Sequence, residues 1–424
     1  MAPMSRRLSP LRWLALALAG LGLVSWAFAR PIVVDARSGA PPADAFLERP
    51  LAYVLLSPVT SLLDHLSLLA LSQHIAFLVS LLMVFWVWRG WRRPPSRTWG
   101  RAAVVETLAT VAFLAGLVGL YAVMTYVPRP VPRLRVEGEG LLVIDFHSHT
   151  RHSHDVPEGY GVEWNRRTHE RVGFHAAYLT DHAGWAGVPE GAAANPARAG
   201  DGFVLLTASE LWLGGENTLA LGDSSLYRGT LDERGIGIEP GRGPVPHDPP
   251  ATLILTLPAR RPLEAVGFSP SQPWGLVGLE VNDASPKGLE QGRRTRSLLL
   301  QVADREDLAV VSATNNHGAG RTAAAWTLME LPGWRALSPS ALALRIESTL
   351  HRDRGRATRV VERTLPFPRP YALVAFTAVA LPWHTAATLS LTERLVWLLY
   401  AAGLWIVGSP RKGRASGPQR PLPG

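Results

Sequence analysis

Hydrophobic positions follow two different patterns along the chain. Toward both ends they run almost unbroken. "LRWLALALAGLGLVSWAFA" (11–29), the stretch 73–90 containing "HIAFLVSLLMVFWVW", and "AAVVETLATVAFLAGLVGLYAVMTYV" (102–127) are each apolar over about the length of a membrane-crossing helix. The first also fits a secretion signal ending in "AFA", but the spans behind it favour an anchored chain. Leu51–Ser72 is apolar except at Asp64 and His65, and reads as an interfacial or re-entrant helix, or as the start of one long tilted helix. The polar pair marks either a helix end at headgroup level, which is preferred, or a buried pair with a function. Residues 371–408 turn apolar again, as one membrane helix or a hairpin.

Between these ends the pattern shortens. Near-continuous apolar runs of a few residues recur at "LLVIDFH", "AAYLT", "FVLLTASELW", "TLILTL", "LVGLEV" and "LAVVSA", as expected for strands buried on both faces. Helical periodicity lies between some of them, in "NRRTHERVGF" and "LEQGRRTRSLLLQVADRED", and "SPSALALRIESTLHRD" opens on a serine cap. The expected organisation is a membrane region (1–130), a stiff proline-rich linker (131–139), a soluble α/β domain (140–362), a membrane helix or hairpin (371–408) and a basic flexible tail (409–424).

The net charge of +9 adds orientation. Arg6, Arg7 and Arg12 precede the first span, and "RGWRRPPSRTWGR" (89–101) carries five arginines and no acid. The positive-inside rule keeps both inside a bacterial inner membrane and puts the α/β domain outside, in the periplasm. A separate crossing by 51–72 would reverse that. No lysine-rich block with interleaved aromatics occurs, so nucleic acid is not an expected partner. Cysteine is absent, which excludes disulfides, thiolate ligands and cysteine nucleophiles. Serine-hydrolase elbows, Walker sequences and dinucleotide fingerprints are also missing.

Seven of the thirteen histidines fall between residues 147 and 182. In "LVIDFHSHT" an apolar strand ends in His-x-His, and strand alternation turns His147 and His149 to one side. "SHD" follows with Asp155, and a second apolar strand ends in "LTDH", with Asp181 and His182. Ligands at strand ends, built from imidazole and carboxylate, suit zinc, manganese or iron.

These residues resemble the ordered motifs of the PHP (polymerase and histidinol phosphatase) family: "DFHSHTRHSHD", "GFHAAYLTDH", a strand with Glu210, and "NNHG" (315–318). The resemblance implies a distorted (β/α)7 barrel, here flanked by transmembrane helices, that hydrolyses phosphomonoesters or phosphodiesters with a metal-activated water. His147, His149 and Glu210 would hold one divalent ion, with Asn315 where the family usually has an aspartate. Asp155, His182 and His317 would hold another. Asp145 and Asp181 would orient ligands. A third position has lost its imidazoles, because Asn217 and Leu257 stand where histidines are common; His247 is a weak substitute. Secondary candidates are His152 or His154 as a general acid, Arg321 as a phosphate contact and Trp185 at the pocket mouth, while His169 and His175 read as helical and structural. The expected partners are a small-molecule or nucleotide phosphoester and the membrane. The departures leave a second reading open, a degenerate module that binds a metal or anion and signals through its helices. A membrane assembly or transport component with an appended barrel is a third.

Overall fold

The computed structural model describes residues 9–92, 99–182, 184–213, 216–222, 230–232, 235–237, 252–256, 276–318, 322–366 and 371–409. Fourteen strands are numbered in chain order. Ten of them form one mixed sheet, in the order β1 (Val33–Asp35), β14 (Arg359–Arg363), β13 (Ala325–Glu330), β4 (Leu141–Ser148), β5 (Ala176–Leu179), β6 (Val204–Leu213), β7 (Glu216–Leu221), β10 (Thr252–Leu255), β11 (Leu276–Asp283) and β12 (Ala309–Ala313). The runs β4–β5–β6 and β10–β11–β12 are parallel, and the remaining pairings are antiparallel. Two small ribbons complete the set: β2 (Ala45–Glu48) with β3 (Arg133–Val136), and β8 (Thr230–Asp232) with β9 (Gly235–Gly237).

The large sheet curls back on itself. The Ser312 N–H donates to Thr327 Oγ1 at 2.8 Å, Asn315 N–H donates to the His147 carbonyl at 2.9 Å, and Ser148 bridges to Asn316. Thus β12 returns beside β13 and the end of β4. One buried cluster inside the curl joins Leu142, Ile144, Tyr178, Leu206, Ile254 and Val311. Helix α9 (Pro339–Asp353) closes one end of it with Leu342, Ile346 and Leu350. Each such side chain contributes about 1.5–3 kcal/mol of burial, so the curl is held chiefly by its core. Helices α6 (Val162–Val172) and α8 (Pro286–Arg305) cover the outer face through Val162 and Val172, and through Leu299 and Val302. The α/β class is therefore present, but with ten strands where a seven-stranded alternation was expected. One reason is local: β6 ends at Leu213 and β7 starts at Glu216, too short a connection for a crossover helix.

Among the described residues, two helices are long and apolar enough to cross a membrane, α4 (Leu71–Trp91) and, from Gly100 on, α5 (Trp99–Tyr126). They run antiparallel, joined at one end by His74 Nδ1 and Tyr121 OH at 2.8 Å and near the other by the Arg89–Glu106 ion pair at 3.0 Å. Helix α1 (Pro10–Val24) is shorter than the 19-residue run around it, because the chain turns after Val24 ahead of Pro31. It lies antiparallel to α11 (Leu391–Val407), with Ser9 Oγ donating to the Gly408 carbonyl at 3.0 Å. Helix α10 (Thr377–Ala387) extends a segment from Val374 that meets α11 at a bend of 120°.

Leu51–Ser72 is not one tilted helix. It splits into α2 (Leu51–Leu55) and α3 (Ser57–Leu66), and α4 already begins at Leu71. Asp64 and His65 do not lie at a headgroup-level helix end as preferred; both are buried. Asp64 accepts from Tyr53 OH at 3.0 Å, from Thr322 Oγ1 and from Arg363 on β14. The segment expected as a stiff linker includes β3, whose Leu134 packs into the core, so it too is fastened to the fold. Sheet hydrogen bonds made by β1, and the packing of Leu47 and Leu134 from the β2–β3 ribbon against Val143 and Val172, tie residues upstream of 140 to the α/β unit.

Candidate metal centre

The carboxyl ends of β4, β5, β11 and β12 converge at the open end of the curl. Register shifts fall between Asp145 and Ser148 on β4 and between Glu280 and Asn282 on β11, a way of re-aiming side chains at a site. His147, at the end of β4, places Nδ1 2.9 Å from Glu280 Oε2. Its Nε2 lies 2.9 Å from His149 Nε2 and 3.2 Å from Glu210 Oε2. His149 Nε2 is 3.4 Å from the same Glu210 oxygen. All four side chains are buried.

A second, more open set abuts the first. His182, just past β5, has Nδ1 3.2 Å from Glu210 Oε2 and Nε2 3.5 Å from Asp155 Oδ2. His317 Nε2 lies 3.0 Å from Asp155 Oδ2. The side chains of His182, His317 and Asp155 are 22%, 27% and 41% exposed, against 3% for Glu210. Glu210 Oε2 thus touches both sets, and the ligand atoms of His149, His182 and His317 also lie within 4.8 Å of one another. All six residues expected as principal ligands come together.

The surrounding loops are pinned by acids. Asp181 accepts from Thr150 N–H at 2.6 Å, Thr150 Oγ1 at 2.7 Å and Ser153 Oγ at 3.1 Å, fixing the turn after His149. Asp145 pairs with His169 Nε2 at 2.7 Å and accepts from the Thr314 and His147 backbone N–H groups. It therefore positions His147 through the backbone, not through an imidazole ligand as expected. Gly318, at φ 83°, lets the loop after His317 pass beneath the Tyr160 ring, where any Cβ would collide. Asn315 sits at φ 42°, a left-handed position asparagine tolerates. Its Nδ2 donates to Asp283 Oδ2 at 3.0 Å, and its Oδ1 is buried.

Electrostatics follow from this packing. Burial opposes a proton on His147, but Glu210 and Glu280 on either side hold its pKa well above the usual value. Burial, then the positive potential of His147 and His317, keeps His149 well below it. His182 is lowered mainly by burial. Unprotonated His149 and His182 are the forms that ligate metal. Burial works against ionised Glu210, yet the neighbouring imidazoles, His147 foremost, hold its pKa down. Glu280 is pushed up to about 7 by burial.

Glu280 and Asp283 were not anticipated. The signal was present, since "LVGLEVND" is an apolar run ending in acids, but an acid at a strand end is commonplace. His152 and Glu190 approach at 3.3 Å at the surface, and His154 is an exposed ring 5.2 Å from His182. His169 is on α6, whereas His175 lies outside any helix, just before β5, with its ring against Trp334. Trp185 Nε1 donates to the Gly222 carbonyl. Leu257, His247 and Arg321 lie outside the described residues.

The site opens into a cavity of about 870 Å³. Asn217 and Thr256 line one flank, and Ser285, Lys287 and Gly288 at the start of α8 line another. A helix N-terminus and a lysine together favour an anion there.

No family model matches the chain, and no curated protein matches it. Among solved structures, PsfC from Pseudomonas syringae PB-5123 is similar with a TM-score of 0.36 at 17% identity, covering 58% of this chain and 98% of the other. A protein named as a metal-dependent phosphoesterase, from Bifidobacterium adolescentis, has a TM-score of 0.28 at 16% identity and covers 46% and 92%. An amidohydrolase from Chromobacterium violaceum, with bound sulfate, has 0.29 at 18%, covering 46% and 98%. Overlaps this low carry no argument about chemistry.

Proposed function

We propose that this chain is a membrane-anchored, metal-dependent phosphoester hydrolase of the PHP type. One observation carries the reading: His147 Nε2, His149 Nε2 and Glu210 Oε2, three atoms able to ligate a metal, converge within 3.4 Å in a buried site. Ligands on a tetrahedral zinc ion at 2.0–2.1 Å stand about 3.3 Å apart, which is this spacing. The pull that raises the His147 pKa reflects a negative local potential that also favours a cation. The residues fit a divalent ion.

His147, His149 and Glu210 would hold one ion, with Asn315 Oδ1 as an available fourth donor. Glu210 would bridge to a second ion held by His182, Asp155 and His317. Bound there, zinc, manganese or iron supplies Lewis acidity toward a phosphoryl oxygen and a water activated at neutral pH. The chain's own residues do the rest. Glu280 holds the His147 ring through Nδ1 and fixes its tautomer. Asp145 and Asp181 hold the strand-end loops rigid. Lys287 and the α8 N-terminus would attract the phosphoester, and His154, an exposed ring 5.2 Å from His182, would return a proton to the leaving alcohol.

The anchoring rests on α4 and α5. Arg12, Arg89 and Arg92 all lie at the helix ends remote from the α/β unit, an asymmetry the positive-inside rule reads as cytoplasmic. The α/β unit then faces the periplasm. With α10–α11 as one bent span, the basic tail returns inside. The test uses the full chain in lipid nanodiscs, loaded with manganese or zinc and offered phosphomonoesters and phosphodiesters. Hydrolysis is expected; metal binding without any turnover would favour the degenerate sensing module, and a folded chain that holds no metal would overturn the hydrolase reading.

A further inference from the structure

The cavity that holds the candidate metal ligands does not end at the α/β unit. Its far wall is formed by Ser67, Leu71 and His74, where α4 begins, and by Tyr121, Met124 and Thr125, where α5 ends. Those two helices are the ones long enough to cross a membrane. At 21 residues α4 spans about 31 Å, roughly a hydrocarbon core, so Leu71 lies at its boundary. Exposed aromatic residues mark both boundaries: Tyr126 at the near end of α5, Trp88 and Trp91 at the far end of α4.

The union is rigid. Ser72 Oγ donates to Glu290 Oε2 on α8 at 2.5 Å, Gln73 Nε2 donates to the Pro366 carbonyl at 2.7 Å, and Asp64 is ion-paired with Arg363. Leu68 and Ala70 pack with Leu289 and Ala324. The candidate site thus lies at the ends of α4 and α5 that would meet the bilayer surface. An enzyme for a freely diffusing phosphate would gain nothing from walling one side of its cavity with membrane helices.

We infer that the substrate is a membrane amphiphile with a phosphoester headgroup, drawn laterally from the bilayer. This deepens the hydrolase reading and rests on it. The headgroup sits among His147, Glu210, His182 and Lys287. The lipid alcohol points down past Leu71 and Met124, and its chains stay in the bilayer along α4 and α5. About 870 Å³ is the scale of a site for one small molecule, so it takes the headgroup and the first chain carbons, not a whole lipid. Hydrolysis joins the oxygen of water to phosphorus, breaks the P–O bond to the lipid alcohol and returns a proton to that alcohol.

The test is binding, with activity read separately. Full-length protein in phosphatidylcholine nanodiscs, loaded with manganese, is titrated with dioleoyl phosphatidate and with glycerol 3-phosphate. The phosphatidate is expected to bind at least tenfold more tightly. Leu71→Trp and, independently, Met124→Trp should each weaken phosphatidate binding about tenfold. Val79→Trp, on an exposed position of α4, should not. Equal affinity for the two phosphates in the wild type, or no effect of either bulky substitution in folded protein, overturns the inference. Tight phosphatidate binding without turnover of any phosphoester leaves the lipid site standing and overturns the hydrolase reading instead.

Discussion

Two groups of buried charge lie within this fold, and they are built on opposite principles. Around Asp64, every carboxylate oxygen meets donors: Tyr53 and Arg363 at Oδ2, Thr322 at Oδ1. Around Glu210, a single oxygen faces His147, His149 and His182 at 3.2–3.4 Å, with Glu280 behind and Asp155 beyond. In the first group the carboxylate is fully met, although Arg363 Nε and Nη2 are buried without partners, and the pair fastens one part of the molecule to another. The second turns three imidazoles onto one carboxylate oxygen, the arrangement that the proposed cation would complete. Burial alone does not mark a site; an unmet demand for positive charge does.

Four substitutions break or sharpen this contrast. Glu210→Gln removes the oxygen shared by both ligand sets. It should lower hydrolysis on the order of a thousandfold, the scale of losing a principal electrostatic group, and strip metal from a chain that still folds. Elemental analysis beside a melting curve checks it; retained metal would contradict the bridging role. Asp64→Asn should do the reverse. It leaves Arg363 buried without its counter-charge and should cost about 3–5 kcal/mol of stability, read by chemical denaturation, while the folded fraction keeps its metal. A stable Asp64→Asn variant would mean that the two groups are alike after all.

Glu280→Gln tests the support of the buried set. Losing the carboxylate behind a ligating histidine should weaken metal binding about 10–100-fold in competition with a chelator, without lowering the melting temperature of the metal-free chain. The smallest effect concerns Glu347, a buried carboxyl whose pKa burial pushes up to about 7. Its folded pKa lies above the unfolded one, so its contribution to stability is complete below the unfolded value, near pH 4, and is lost as pH rises through 7. Wild type should lose on the order of 2 kcal/mol between pH 5 and pH 8 from this group, and Glu347→Gln should flatten that slope. An unchanged slope would remove Glu347 from the account.

How much of this was legible beforehand depended on sequence distance. His147, His149, Asp155 and His182 declare themselves because apolar strands end in them within a few dozen residues. Glu280 meets His147 from 133 positions away, and a lone acid at a strand end carries no local mark of its partner. Asp64 meets Arg363 across 299 positions, so periodicity showed an interrupted apolar helix but not the reason for the interruption. The strand pattern indicated a buried α/β sheet. It did not reveal that β1, from the membrane-proximal third of the chain, joins it, or that β2 and β3 pair as a ribbon beside it, since strands of three or four residues have no readable period. Cutting the chain at residue 136 would remove β1 from β14 and Asp64 from Arg363, which is why every test above uses the full chain.

The most direct test of the central claim is the metal content of full-length protein after chelation, reloading with manganese or zinc, and removal of free ion. Two ions per chain are predicted, falling to one or none in Glu210→Gln. A wild-type chain that folds and retains no ion, or a content that Glu210→Gln leaves unchanged, would contradict it.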